Sequence, residues 1–405
     1  MKKHLIPALL AIPAFVLAGC TSGTTEATPS ATSSSSAAAT EEAPKDPVSV
    51  AVITSQTGFL ASYGNAYLQG FEAGLDYATD GTLEVNGHKI EVSILDDAGD
   101  ADTAVGHAKD AIGNGTQILL GTVSSGIALT LAEQAAQNKV LYISGPAAAD
   151  AITGVNGYTF RSGRQTYQDV ATAGTFIGNP SGKKVVVFAQ DTAFGQGNLA
   201  GVDIVLGGKG ANVEGVLVPE DATEFTPFAR QIVAAEPDLI FVAWAGATSG
   251  AMWQALTQQG VFDVAPVVTG LGDVATYGAY AEAGTSISFL NHYFAGAAGT
   301  AVESEMLSRV EAAGGVGDLF TPDGFLAAQM LVRALEASTT DVDAMISALE
   351  GAEFDGPKGT TVIRAEDHAV IQPMFQARLV ASGDSFVPEL IAVVDSADVT
   401  PPLAQ

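Results

Sequence analysis

The chain has 405 residues, with 45 Asp and Glu against 17 Lys and Arg, and a formal charge of −28. Such acidity excludes nucleic acid as a partner, because phosphates would be repelled, and excludes electrostatic docking to anionic lipid. The length suits two domains or one large one, and 47% hydrophobic residues with 45 Gly describe an Ala/Gly-rich globular body, not a disordered chain.

Residues 1–19 read as a secretory leader. Lys2 and Lys3 make a basic start, and the apolar stretch 5–17 is too short to span a bilayer as a lasting helix. Leu17-Ala18-Gly19-Cys20 follows directly and resembles a bacterial lipoprotein lipobox. Cys20 is therefore the expected lipidation site, and its lipid the expected membrane attachment on the extracytoplasmic face. Cys20 is also the only cysteine, which excludes an intrachain disulfide and a thiol nucleophile in the body. Residues 20–47 are rich in Ser, Thr, Ala, Pro and Glu without hydrophobic period, the composition of a flexible tether.

From Val48 onward strands and helices alternate, the pattern of parallel sheets with crossover helices. A strand over 48–54 leads through a loop to a helix over 65–78. A hairpin over 83–89 turns on Asn86-Gly87, and a strand over 90–95 ends in Asp96-Asp97. A helix over 101–113 precedes strands at 118–120 and 140–143, which flank an amphipathic helix. The turn 121–126, GTVSSG, lies where a strand's carboxyl end meets a helix N-terminus, a place receptive to a negative group. Ser124 and Ser125 add hydroxyls that cap the helix or hold a ligand. Residues 154–164 read as irregular and as the passage to a second lobe.

The second lobe repeats the scheme, with strands over 184–188, 211–218, 239–243 and 266–268 and helices over 197–206, 225–235 and 250–259. The run of helix, polar spacer and apolar strand over 101–120 recurs over 224–242, which suggests duplicated lobes. A strand over 287–293 and helices over 302–313, 322–337 and 343–349 follow, the second with Pro in its first turn and Thr321 as its expected cap. Late strands are expected over 361–363, 374–380 and 386–394. The fold class is α/β: two doubly wound, Rossmann-like lobes joined by hinge crossovers. The expected division is 48–165 plus 295–350 for the first lobe, 166–294 plus 351–395 for the second, and 396–405 as a tail.

Several stretches, in this order, resemble the type I periplasmic binding proteins of Leu/Ile/Val and amide ABC importers. They are Thr57-Gly58-Phe59-Leu60-Ala61-Ser62-Tyr63-Gly64, Asp96-Asp97, Gly121…Ser125-Gly126, Ile143-Ser144, Phe160-Arg161, Phe194-Gly195-Gln196-Gly197 and Phe354-Asp355-Gly356-Pro357-Lys358-Gly359. The resemblance covers nearly everything from 48 to 394. It implies two lobes with three crossovers that close on a small ligand and hand it to membrane permease subunits. It further implies that Ser125 holds a ligand carboxylate, that Tyr63 lines the first-lobe wall, and that Pro146-Ala147-Ala148 offers backbone groups. Phe194 and Trp244 would press from the second lobe. Relatives that bind aliphatic amino acids tend to carry Thr at the place of Ala148 and Tyr at that of Phe194. Their acidic partner for the ligand ammonium falls near Gly272, with Asp273 beside it as a substitute. Two lost hydroxyls remove two hydrogen bonds of about 1 kcal/mol each, which weakens the case for a standard α-amino acid. The rings of Phe194 and Trp244 suit a flat or apolar ligand, so an aromatic or hydrophobic acid or an amide stands as the alternative to a branched-chain or other amino acid.

Single residues have alternative roles. Tyr63 covers a ligand or staples its loop; Trp244, at a strand's carboxyl end, is expected at the ligand and Trp253 in packing. Arg161 and Arg164 could clamp a carboxylate, although ion pairs with nearby acids are the expected role of Arg161. Asp96-Asp97 suits capping or hinge polarity better than a metal, and His292 a structural place near the pocket rim. No GxSxG, HExxH or GxxxxGK[ST] is present and the five His are scattered, so the reading is a binding protein without cofactor, not an enzyme. A sensory ligand-binding protein is the alternative class.

Overall fold

β1 (Val48–Thr54) is apolar on both faces because both are covered: Val50 and Val52 enter one core layer, Ala51 and Ile53 the other. It centres a six-stranded sheet in a computed structural model that describes residues 45–383 and 385–404. The leader, Cys20 and the tether to residue 44 lie outside the described residues. After β1 come α1 (Ala61–Ala78), β2 (Glu84–Val85), β3 (His88–Asp96), α2 (Ala101–Gly113), β4 (Ile118–Leu120), α3 (Ser125–Asn138), β5 (Leu141–Ser144) and β6 (Thr159–Arg161). The sheet order is β2-β3-β1-β4-β5-β6, parallel except for the β2–β3 hairpin. Helices α2 and α3 cover one face and α1 the other. β6 lies inside the stretch expected to be irregular; three residues give too short an alternation to announce a strand.

Residues 162–165 carry the chain across. The second sheet is built from β7 (Lys184–Gln190), β8 (Asn212–Val218), β9 (Leu239–Ala243), β10 (Val267–Gly270) and β11 (Ile287–Asn291), all parallel. The helices between them are α4 (Thr166–Ile177), α5 (Ala193–Val205), α6 (Thr226–Ala234), α7 (Ser249–Gln258) and the short α8 (Tyr277–Tyr280). α4 and α5 pack on one face, α6 to α8 on the other. α4 was not foreseen, since its Thr, Ala and Gly residues give a weak apolar stripe.

The chain returns after β11 to α9 (Ala301–Ala312), α10 (Thr321–Ala337) and α11 (Val342–Leu349) on the first lobe. α10 packs so closely on α1 that a Cβ at Gly70 would stand 1.8 Å from the Thr321 carbonyl oxygen. Thr321 does not cap α10, which begins after Phe320; its hydroxyl accepts from the Asp318 N–H at 2.9 Å. Residues 351–371, expected in the second lobe, belong with the first. They form a small sheet of β12 (Glu353–Gly356), β13 (Gly359–Ile363) and β14 (Val370–Ile371), and Phe354, Ile363 and Val370 sink into the core beside Leu331, Leu335 and Leu349. Only β15 (Met374–Ser382) and β16 (Ser385–Val394) join the second sheet, antiparallel at its edge. Residues 401–404 fold back, with Arg364 donating to the Pro401 and Pro402 carbonyls and Asp367 accepting from the Ala404 N–H.

Candidate functional site

The carboxyl ends of both parallel sheets meet at a crevice, where open α/β sheets bind ligands. Asp97 draws the first-lobe loops together: it is fully buried and accepts from Ser55 Oγ, the Gly99 N–H and Thr122 Oγ1. Asp96 brackets the loop after β1. Burial works to raise its pKa, but hydrogen bonds from Thr57, Gln56 and Ala98 outweigh this and hold it near about 2. The acidic pair thus fixes loops.

These loops, with their second-lobe counterparts, enclose a cavity of about 290 Å³. Ser124 and Ser125 both line it at the start of α3. Ser125 Oγ accepts from the Ala149 N–H at 3.2 Å, so it also ties down the turn 145–149, whereas the Ser124 hydroxyl does not cap α3 and has no hydrogen-bond partner among the described residues. The first N–H groups of α3, at the wall-forming Gly126 and Ile127, have no partner within the helix.

Pro146 and Ala148 line the cavity but Ala147 does not. The Ala147 carbonyl points backward to the buried Arg161, whose guanidinium donates to the carbonyls of Ala147, Ala149, Gly163 and Arg164 and to Thr153 Oγ1. Arg161 is thus a brace held by carbonyl oxygens and not by the ion pairs expected of it. Burial lowers its pKa to about 10, which leaves it charged at neutral pH.

Arg164 faces inward. Its Nη1 donates to the Pro146 carbonyl at 2.8 Å, its Nε lies 3.2 Å from Asp169 Oδ2, and its Cζ sits 5.5 Å from the Phe320 ring centre. Its Nη2 has no partner among the described residues. His292 stacks on Phe320 at 4.9 Å, with Nε2 3.9 Å from Asp323 Oδ2. Burial, then the charges of Arg164 and Lys358, push its pKa well below the ordinary histidine value, so the ring is neutral. Lys358 Nζ, 3.2 Å from Asp323 Oδ1, completes a buried ion pair behind the cavity.

Aromatic side chains from both lobes also line the wall. Tyr63 meets Phe320 edge-to-face at 5.0 Å. Trp244 stacks on Phe188, meets Phe225 edge-on, both at 5.2 Å, and donates to Thr248 Oγ1. Phe194, on α5, and Phe59, on the loop after β1, also line the cavity. Asp273 does not line the cavity. Its Oδ1 accepts from the Thr276 N–H and hydroxyl, capping a short helical turn. The acids on the wall are Asp169, engaged by Arg164, and Glu220, exposed at the rim.

The structure therefore brings together Tyr63, Ser124, Ser125, Pro146, Ala148, Phe194 and Trp244, and leaves Ala147 and Asp273 out. Sequence reasoning missed Phe59 and Phe320 as wall residues. Phe59 stands in the opening loop already singled out, while nothing local marks Phe320, which comes from just before α10.

This arrangement, two doubly wound lobes with a cavity between their carboxyl edges, is that of a periplasmic binding protein. The chain belongs to that family, whose model matches residues 47–384. It is 25% identical over 204 residues to the Leu/Ile/Val-binding protein BraC3 of Rhizobium johnstonii, a match covering 48% of this chain and 53% of that one. The chain thus spans about half the length of the first curated relatives it matches. Among solved structures it is similar to an ABC-type branched-chain amino acid transporter protein of Rhodopseudomonas palustris, at 29% identity and TM-score 0.72, covering 88% of this chain and 99% of that one. A Rhodopseudomonas palustris solute-binding protein in complex with p-hydroxybenzoic acid shares the fold at 21% identity and TM-score 0.80, covering 87% and 98%.

Proposed function

We propose that this protein is the extracytoplasmic substrate-binding component of an ABC importer, tethered by lipid at Cys20, that closes its lobes on a compact carboxylic acid with an apolar or aromatic body. The carboxylate is held by Arg164 Nη2, the Ser124 hydroxyl and the first N–H groups of α3. The rings of Tyr63, Phe194, Trp244 and Phe320 sandwich the body. Contact with both lobes stabilises the closed state, which the permease then reads.

One observation carries the choice of ligand. The inner wall has a guanidinium nitrogen free to receive an anion, while its one acid, Asp169, is already engaged by that guanidinium. A free amino acid would leave its ammonium without an inner anionic partner, and burying an unpaired charge is costly. Glu220 at the rim favours a second reading, a branched-chain amino acid whose ammonium points outward. Solved relatives carry both kinds of name.

Thermal unfolding against a panel of aromatic acids and aliphatic amino acids tests this. A ligand at 100 times its dissociation constant adds about 2.7 kcal/mol of stability. Shifts with benzoate-type acids and none with leucine support the first reading; the reverse supports the second.

A further inference from the structure

The mouth of the cavity is crossed by the protein's own backbone. The Ala247 N–H, on the second-lobe loop after β9, donates to the Phe59 carbonyl on the first-lobe loop after β1, at 3.1 Å. The Phe59 ring lies between two glycines, one from each lobe. A Cβ at Gly99 would stand 3.3 Å from its Cε1, and a Cβ at Gly246 would stand 2.7 Å from both its Cδ2 and its carbonyl oxygen. Gly246 also has φ +82°, a conformation that L side chains rarely adopt. The Tyr63 hydroxyl lies near the Gly246 amide.

We infer that Phe59 and Gly246 form a roof that seals the closed cavity and restricts the site to acids short enough to lie wholly beneath it. Gly246 is required at the seam because any side chain there strikes Phe59 before the Ala247–Phe59 hydrogen bond can form. Acids with a second ring or a long chain would have to hold the roof open. They lose this bond and the exclusion of water that strengthens the polar contacts inside. The inference rests on the proposed compact-acid ligand for its size limit, but not for the seam itself.

The test compares 4-hydroxybenzoate with biphenyl-4-carboxylate by titration calorimetry, on wild-type protein, Gly246→Ala and Phe59→Ala. The second variant removes the roof's ring without straining the backbone. Wild type is expected to prefer the short acid by 100-fold or more, and both variants to lose at least tenfold of that preference, chiefly through weaker binding of the short acid. Equal binding of both acids by wild type, or an unchanged preference in both variants, overturns the inference. The seam is measured separately, without ligand, from the distance between spin labels at Asp102→Cys and Asp221→Cys in full-length protein carrying Cys20→Ser. A short-distance population that Gly246→Ala abolishes supports the roof; identical distributions overturn it. If wild type binds neither acid, the compact-acid reading falls and the label distances alone decide the seam.

Discussion

Replacing Arg164 by Gln separates ligand recognition from the support of a buried charge. In the wild type the guanidinium spans the Pro146 carbonyl at 2.8 Å and Asp169 at 3.2 Å, and Nη2 has no partner among the described residues. Arg164→Gln alone strands Asp169, which is 4% exposed, and breaking a buried pair from one side costs about 3–5 kcal/mol. Adding Asp169→Asn removes the stranded charge and should return stability to within about 1 kcal/mol of wild type. Affinity should not return. A charge-assisted hydrogen bond to the ligand carboxylate is worth about 1.5–3 kcal/mol, or roughly 10- to 150-fold in dissociation constant. Urea unfolding of both variants and calorimetric titration of the double variant separate the two effects. Wild-type affinity for aromatic acids in the double variant would refute the assignment of Arg164 to the carboxylate.

Arg161→Met should lower stability by about 3–5 kcal/mol in thermal unfolding, because it leaves the buried carbonyls of Ala147, Gly163 and Arg164 without a donor, while that of Ala149 keeps the Ile152 N–H. Ligand-induced fluorescence change should vanish in Trp244→Phe and persist in Trp253→Phe, since only Trp244 lines the cavity. Asp318 provides a pH test: burial, with Asp273 adding to it, raises its pKa to about 6 despite hydrogen bonds from the Leu319 and Val274 N–H groups. The native state then holds this proton more tightly than the unfolded chain, so stability falls as pH rises from about 4 to about 6. At about 1.4 kcal/mol per unit, discounted for partial exposure, the loss is about 1–2 kcal/mol. Asp318→Asn should flatten that slope in urea unfolding measured across the range.

Much of the fold was legible because its strands are short apolar runs between clear turn residues. The bounds of α2, β1, β4 and β9 were read directly, and the antiparallel hairpin followed from Asn86-Gly87. What failed has physical reasons. β12–β14 lie next to second-lobe strands in sequence, and only the burial of Phe354 and Ile363 against α10 and α11 decides their lobe. At the site, residues on strand-end loops were found because the loop's place in the sheet dictates where they face. Asp273 was misread because a carboxylate one residue from the expected position has a nearer partner in its own turn, Thr276. Arg164 and His292 were noticed as polar residues near a crossover. Their place on the wall follows from Phe320, which reaches them from 156 and 28 residues along the chain, a relation no local pattern records.

The central claim is that the inner cavity receives a carboxylate and has no inner partner for an ammonium. Titration calorimetry with benzoate-type acids and with leucine, on the same preparation, tests it most directly. Saturable binding of an aromatic acid with leucine silent is the predicted result. Saturable binding of leucine with the aromatic acids silent would contradict it, and would move the anionic contact to Glu220 at the rim.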